Sequence, residues 1–212
     1  AILNKTNNGK LIAAIVALAM IVCAVAVVAS PAMADEGQTS TPTIPDFNGV
    51  TPITVDSVED LTTYITDGVL TVPSTGLVLS LAEDIEISEI VLNGNLKITG
   101  GHTLTVSDVV TSNSDKYLIT GGNNVNGNIV VDGTSTALVA SISVDSAEST
   151  YNDDIHILYN VAGLFITNGA TVTLNQTANT NGVTWYNSGN ATFDVYMDDG
   201  DLSLRAAGLP DM

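Results

Sequence analysis

From Val69 onward the chain never sustains a helical stripe over twelve residues, and its apolar residues instead alternate with period two in very short runs. Val69-Leu70-Thr71-Val72, Leu77-Val78-Leu79-Ser80-Leu81, Ile85-Glu86-Ile87 and Ile90-Val91-Leu92 are aliphatic or β-branched, and Gly, Asn, Asp and Ser separate them. One block of this kind recurs. Asn93-Gly94-Asn95-Leu96-Lys97-Ile98-Thr99-Gly100 reads like Asn126-Gly127-Asn128-Ile129-Val130-Val131-Asp132-Gly133, and both read like Ala162-Gly163-Leu164-Phe165-Ile166-Thr167-Asn168-Gly169. Each carries a glycine, inward apolar positions and a second glycine six places on. Asn187-Ser188-Gly189-Asn190-Ala191-Thr192-Phe193 is a fainter fourth copy. A body built this way is all-β.

Short strands, corners of Gly and Asn, and a unit of this size predict a solenoid whose coils stack at the strand spacing of roughly 4.8 Å. Both corner residues tolerate positive φ. Coils of about 20–25 residues would give on the order of six turns. The competing fold is a β-sandwich, which also places turns every 8–12 residues. The repeated glycine pairs favour stacking. Asn93, Asn126 and Asn187 recur at like points, so amide ladders along the stack are expected.

Upstream the composition changes twice. Residues 11–29 are uncharged and apolar, Lys5 and Lys10 precede them, and Ala32-Met33-Ala34 stands before Asp35. That order is the layout of an export signal cleaved after residue 34. Nineteen residues also approach the length of a membrane span, and an uncleaved segment would anchor the chain with its lysines inside. Residues 35–54, with Pro42, Pro45 and Pro52 among threonines, read as a spacer, and 55–212 as the folded body. Within that body Ser57 to Ile65 carries a capping box of Asp56 or Ser57 with Glu59 or Asp60. Val58, Leu61 and Ile65 share a face there, which predicts one short helix closed by Gly68. Leu209-Pro210-Asp211-Met212 carries no anchor, sorting motif or lid, so the body is expected to be a piece of something longer.

Charge narrows the partners. Beyond residue 34 only Lys97, Lys116 and Arg205 are basic, against all 23 acidic residues. Such a surface repels nucleic acid and anionic lipid, and any membrane contact would run through the N-terminal segment. Cys23, the single cysteine, lies in the apolar run, so no disulfide holds the body together and its core must.

The stretch from the Ser57–Ile65 segment through Leu77-Val78-Leu79-Ser80-Leu81-Ala82-Glu83-Asp84-Ile85-Glu86-Ile87 to Leu92-Asn93-Gly94-Asn95-Leu96-Lys97-Ile98 and Gly101-His102-Thr103-Leu104-Thr105-Val106 resembles the opening coils of right-handed parallel β-helix domains of the pectin-lyase-like type. In particular it is similar to adhesin-like surface proteins common in methanogenic archaea. The resemblance covers about residues 55–174. It implies a capping helix over the first coil and a secreted or cell-surface protein that contacts cell-surface carbohydrate or protein without catalysis. It leaves two other readings open: a polysaccharide lyase or glycoside hydrolase of the same fold, and an envelope-layer subunit. Enzymes of that superfamily cluster Asp with Arg or Lys. Here Asn152-Asp153-Asp154-Ile155-His156 lacks such a partner, and Arg205 is the only arginine.

Asp153, Asp154 and His156 are nonetheless the best acid/base candidates, against a polar loop entering a strand with His156 facing solvent. Asp198, Asp199 and Asp201, with Gly200 at the turn, are the candidate calcium ligands; they lack the spacing of the twelve-residue loop, and an acidic turn is the competing reading. His102 has no His or Cys at metal spacing and reads as a corner residue. Trp185, Tyr186 and Tyr196, together with Tyr151 and Tyr159, are the candidate binding aromatics, since flat apolar faces with polar tips suit sugar or protein. Asn175-Gln176-Thr177 and Asn190-Ala191-Thr192 are glycosylation triplets.

Overall fold

The computed structural model describes residues 43–111, 115–144, 155–176, 185–186, 188 and 193–206. More than half of them lie in strands, one short 3-10 turn is the helical part, and the strands form three sheets. Numbered along the chain, the first sheet holds β1 (Ile53–Val55), β4 (Leu77–Leu81), β7 (Leu96–Thr99), β10 (Asn128–Asp132), β13 (Gly163–Thr167) and β16 (Asp194–Asp198), in that order. The second holds β5 (Ile85–Ile87), β8 (Thr103–Val110), β11 (Ala137–Val144), β14 (Thr171–Gln176) and β17 (Asp201–Ala206). The third holds β2 (Ile65–Thr66), β3 (Val69–Val72), β6 (Glu89–Leu92), β9 (Lys116–Thr120), β12 (Ile155–Tyr159) and β15 (Trp185–Tyr186). From β3 onward each strand bonds to the third strand after it, and these pairings are parallel.

Register makes columns of core side chains. Ile53 pairs with Leu79, Leu79 with Ile98, Ile98 with Val131, Val131 with Ile166 and Ile166 with Met197, at offsets of 26, 19, 33, 35 and 31 residues. These offsets scatter well beyond the expected 20–25, because the connections, not the strands, absorb the variation. Leu79, Ile98, Val131 and Ile166 are fully buried. In the second sheet Ile85, Leu104, Leu138 and Val172 form another column, each at most 4% exposed. The buried members belong to one apolar cluster, with Ile53 packed against it and Met197, 52% exposed, outside it. With no disulfide available to this body, that continuous burial supplies the cohesion, at roughly 25 cal/mol per Å² of apolar surface removed from water.

The strands β3, β4 and β5 coincide with the runs read from the sequence, and β6 begins one residue earlier, at Glu89. The recurring block fares less simply. Leu96 pairs with Ile129 as its alignment predicts, but Gly163 pairs with Asn128 rather than Gly127. The aligned glycines stand 36 residues apart, whereas β10 and β13 pair at an offset of 35, so matching glycines slip one step out of register.

The expected helix is shorter than predicted. Only Val58–Leu61 turns, as a 3-10 helix with Ser57 at its N-cap. The Asp60 carboxylate accepts from the backbone amides of Asp56 (2.9 Å) and Ser57 (3.0 Å), the acidic half of the predicted box. Leu61 is fully buried, with Val58 packed against the core. Ile65 belongs instead to β2, which pairs antiparallel with β3 through the two-residue turn Asp67-Gly68. Their φ values of 51° and 80° are those of a type I′ hairpin, the turn that matches strand twist. A Cβ at Gly68 would also lie 2.7 Å from Ser88 Oγ.

Candidate functional site

Three neighbouring strands of the third sheet bring four rings together. Pairing of β9 with β12 sets His156 beside Tyr117, and pairing of β12 with β15 sets Tyr159 beside Tyr186. Tyr117 and Tyr159 stack with centroids 4.0 Å apart and planes 12° from parallel. His156 lies 5.8 Å from Tyr117 and 5.4 Å from Tyr186, and Tyr159 lies 5.8 Å from Tyr186, all within 15° of parallel. In-register parallel strands place side chains at one strand spacing, about 4.8 Å, which is close to the offset-stacking distance of aromatic rings. Register accounts for His156 on Tyr117 and Tyr159 on Tyr186, whereas the closest stack, Tyr117 with Tyr159, is a diagonal contact, since Tyr159 pairs with Thr120.

Within it His156 is only 4% exposed, so the expectation of a solvent-facing histidine is corrected: neighbouring rings cover it. Asp153 and Asp154, its proposed acid/base partners, lie outside the described residues. Tyr186 is the open member, 47% exposed on the edge strand β15. Trp185 pairs in register with Leu158. Tyr196 is not part of this group: it sits in the first sheet, tilted 46° against Phe165 at 6.1 Å. The aromatic candidates therefore divide between two sheets, and Tyr151 lies outside the described residues. Tyr117 was not singled out by sequence, since only the register shows that it meets His156.

Beside the ladder, the Lys116 ammonium donates to Glu89, and to Asp108 Oδ2 at 2.5 Å. Partial burial opposes its charge, but hydrogen bonds and attraction from the two carboxylates win, and its pKa is raised. On the first sheet Lys97 Nζ lies 2.7 Å from Asp132 Oδ2, while Thr167 Oγ1 and Asn168 Nδ2 donate to Asp132 Oδ1 at 2.9 and 2.6 Å. Burial alone would raise the Asp132 pKa; these three donors, with the lysine charge, hold it below the usual carboxylate value. Both nodes tie successive strands together and leave neither cation free for a ligand.

The acidic corner is built otherwise. Asp198 ends β16, Asp199 has φ 53° and Asp201 opens β17. Its backbone bonds to the corner beneath: Asn168 donates to the Asp198 carbonyl (3.0 Å), Gly169 to that of Asp199, and the Asp201 amide to Ala170 (3.1 Å). Among the described residues no three His, Cys, Asp or Glu side chains are grouped as a metal ion would require. His102 sits at the β7–β8 corner, with Nδ1 3.6 Å from Asp84 Oδ1. Asn175 lies mid-strand in β14, its Nδ2 3.4 Å from Ser141 Oγ, a contact a glycan would displace; Asn190 lies outside the described residues.

The expected ladder at Asn93 and Asn126 is not formed side chain to side chain, Asn187 lies outside the described residues, and one asparagine pair stacks at a neighbouring position instead. Asn128 donates from its backbone amide (2.9 Å) and from Nδ2 (3.0 Å) to Asn95 Oδ1. Asn126 Nδ2 donates to the Asn93 carbonyl at 2.9 Å instead of to a side chain. The remaining feature of the sequence with functional weight, the apolar run 11–29, falls outside the described residues. Among the described residues no helix is long and apolar enough to cross a membrane. Compared with protein-family models, characterised proteins and solved structures, the chain finds no match.

Proposed function

We propose that this chain is an exported, cell-surface adhesin-like protein whose body winds as a right-handed parallel β-helix and offers a stiff scaffold for contact with cells or carbohydrate. The observation that carries the reading is the pairing order, in which every strand but β2 bonds to the strand three places along the chain from it, in all three sheets. A chain that visits three faces in turn and returns to each one strand-width further on is a winding chain. A sandwich of antiparallel hairpins has no reason to pair this way. Crossovers between parallel strands of one sheet are right-handed in about 98% of cases, which supports the proposed hand. The 3-10 turn and the β2–β3 hairpin lie where a lid over the first coil belongs.

Contact rather than catalysis is the reading because, among the described residues, the two lysines and the buried histidine are committed to structure. Lys97, Lys116 and Asp132 hold strands together, and His156 is packed among rings. Export follows from the basic start, apolar run and Ala32-Met33-Ala34. The test is a glycan and cell-binding screen of the purified protein, run beside a polysaccharide-cleavage assay. Saturable binding without cleavage is the expected result. Cleavage of a polymer, lost in Asp154→Asn, would replace the reading with a lyase or hydrolase, and assembly into ordered two-dimensional arrays would replace it with an envelope subunit. A mature N-terminus at Asp35 is expected by mass spectrometry.

A further inference from the structure

The corners joining the third sheet to the first are stacked like the strands, and the residues before β1 fold over them. Val50 donates to the Phe47 carbonyl (3.0 Å), and Asn48 donates to both Asp46 carboxylate oxygens (2.8 and 2.5 Å), which makes 46–50 a tight turn. Beneath it run the β3–β4 corner with Ser74 and Thr75 and the β6–β7 corner with Asn93, Gly94 and Asn95. Leu77 donates to the Asn95 carbonyl (2.9 Å) and Asn93 to the Val72 carbonyl (3.0 Å), so the two corners are locked one above the other. Between turn and corners lies a depression of about 190 Å³. A second, of about 370 Å³, adjoins it through Thr75 and Gly76 and is walled by Tyr64.

We infer that these two adjoining depressions form a binding site for a neutral oligosaccharide, one ring against Phe47 and the next against Tyr64. Each offers one aromatic side chain, partly buried; the rest of the first wall is polar side chains and glycine, and the second adds Val50, Pro73 and Leu77 beside Asn48, Thr51 and Thr75. That is the pairing a sugar ring needs: a flat apolar face for its C–H side and amides or hydroxyls for its rim. Donors are to hand. Asn95 gives its Oδ1 to Asn128 and keeps Nδ2, and the exposed Asn93 side chain has no hydrogen-bond partner among the described residues. Ser74 and Thr75 add hydroxyls.

The chemistry excludes the alternatives. Among the described residues no Lys, Arg or His lines either depression, and Asp46 stands in the first, which disfavours uronates, phosphates and sulfates. Each depression is small beside, or at the low end of, the roughly 300–1,000 Å³ of drug-sized pockets, as suits one sugar ring apiece. The first wall, with Phe47 as its one large apolar side chain, is too polar for a lipid chain.

This inference rests on the carbohydrate-contacting reading, and its test separates the two. Saturation-transfer NMR and calorimetry on the full chain would use cellobiose, lactose and maltose as neutral probes and digalacturonate as the charged one. At least one neutral disaccharide is expected to bind and digalacturonate is not. Phe47→Ala should weaken that binding about tenfold, the loss of one ring face. Asn93→Ala, at an exposed side chain outside the core, should weaken it with an unchanged melting temperature, which guards against a misfolded Phe47 variant. Binding by none of the neutral probes, or full binding in both variants, would overturn the site. Full binding in both variants together with loss in Tyr186→Ala would move carbohydrate contact to the ring ladder and leave the proposed function standing.

Discussion

Replacing Gly94 by alanine isolates the close approach of successive corners from ordinary turn chemistry. Gly94 does not have a left-handed φ, so alanine carries no conformational penalty of that kind. The obstacle is across the stack: a Cβ would lie 2.4 Å from the Pro73 carbonyl oxygen and 2.9 Å from that of Ser74. Both are main-chain atoms, so no side chain can swing aside, and the corner must lift by most of an ångström. Overpacking of this kind costs about 1–3 kcal/mol. The flanking bonds Leu77 to Asn95 and Asn93 to Val72 are strained as well, each worth about 1 kcal/mol. A total of about 2–4 kcal/mol is expected in an equilibrium urea titration, read as a lower midpoint at unchanged slope. Gly49→Ala is the control, because Gly49 has φ 84° but nothing within 4 Å of the added carbon. It should cost roughly 1–2 kcal/mol, the left-handed penalty alone. If Gly94→Ala costs no more than Gly49→Ala, the corners are not packed backbone on backbone and the reasoning is refuted.

Further outcomes follow from the core and the two charged nodes. Ile98→Ala, at a fully buried column position, should cost about 2–5 kcal/mol by the same titration, whereas Val109→Ala, 53% exposed, should stay within about 0.5. Asp132 has a lowered folded pKa, so its contribution is complete above the ordinary carboxylate range and is lost as pH falls through the folded value; Asp132→Asn should flatten the acid limb of a stability–pH profile. Lys116 has a raised folded pKa, so its contribution is present below the ordinary lysine range and is lost as pH rises through the folded value; Lys116→Met should flatten the alkaline limb.

Period two and β-branched runs located β3 to β6 in the sequence because a strand's two faces are written in adjacent residues. The recurrence of Leu96 at Ile129 was legible for the same reason, since both copies keep the Asn-Gly-Asn lead into the alternating run. Gly163 was not, since its copy lies 36 residues on while the strands pair at an offset of 35, and no local signal records that one-step slip. The helix expectation failed where two local codes overlap. Asp67-Gly68 is a hairpin signal, and it claimed Ile65 for a strand once β3 was there to pair with it. Site residues were legible by type but not by company. Tyr186 and Tyr196 look alike in sequence, yet β15 and β16 belong to different sheets. Tyr117 joins His156 only through a pairing 39 residues apart. The depressions under the 46–50 turn gave no signal, because that segment reads as spacer.

The stacking itself can be measured along one outer column, where Glu86 pairs with Thr105, Thr105 with Val139, Val139 with Thr173 and Thr173 with Ser203. Spin labels at the exposed Glu86 and Ser203 should give a backbone separation of about 19 Å by electron spin resonance, four strand spacings. Moving the first label to Thr105 should shorten it by about 5 Å. A separation that does not fall by one strand spacing with that move, or one well beyond 30 Å for Glu86 and Ser203, would contradict a chain that returns to the same face coil after coil.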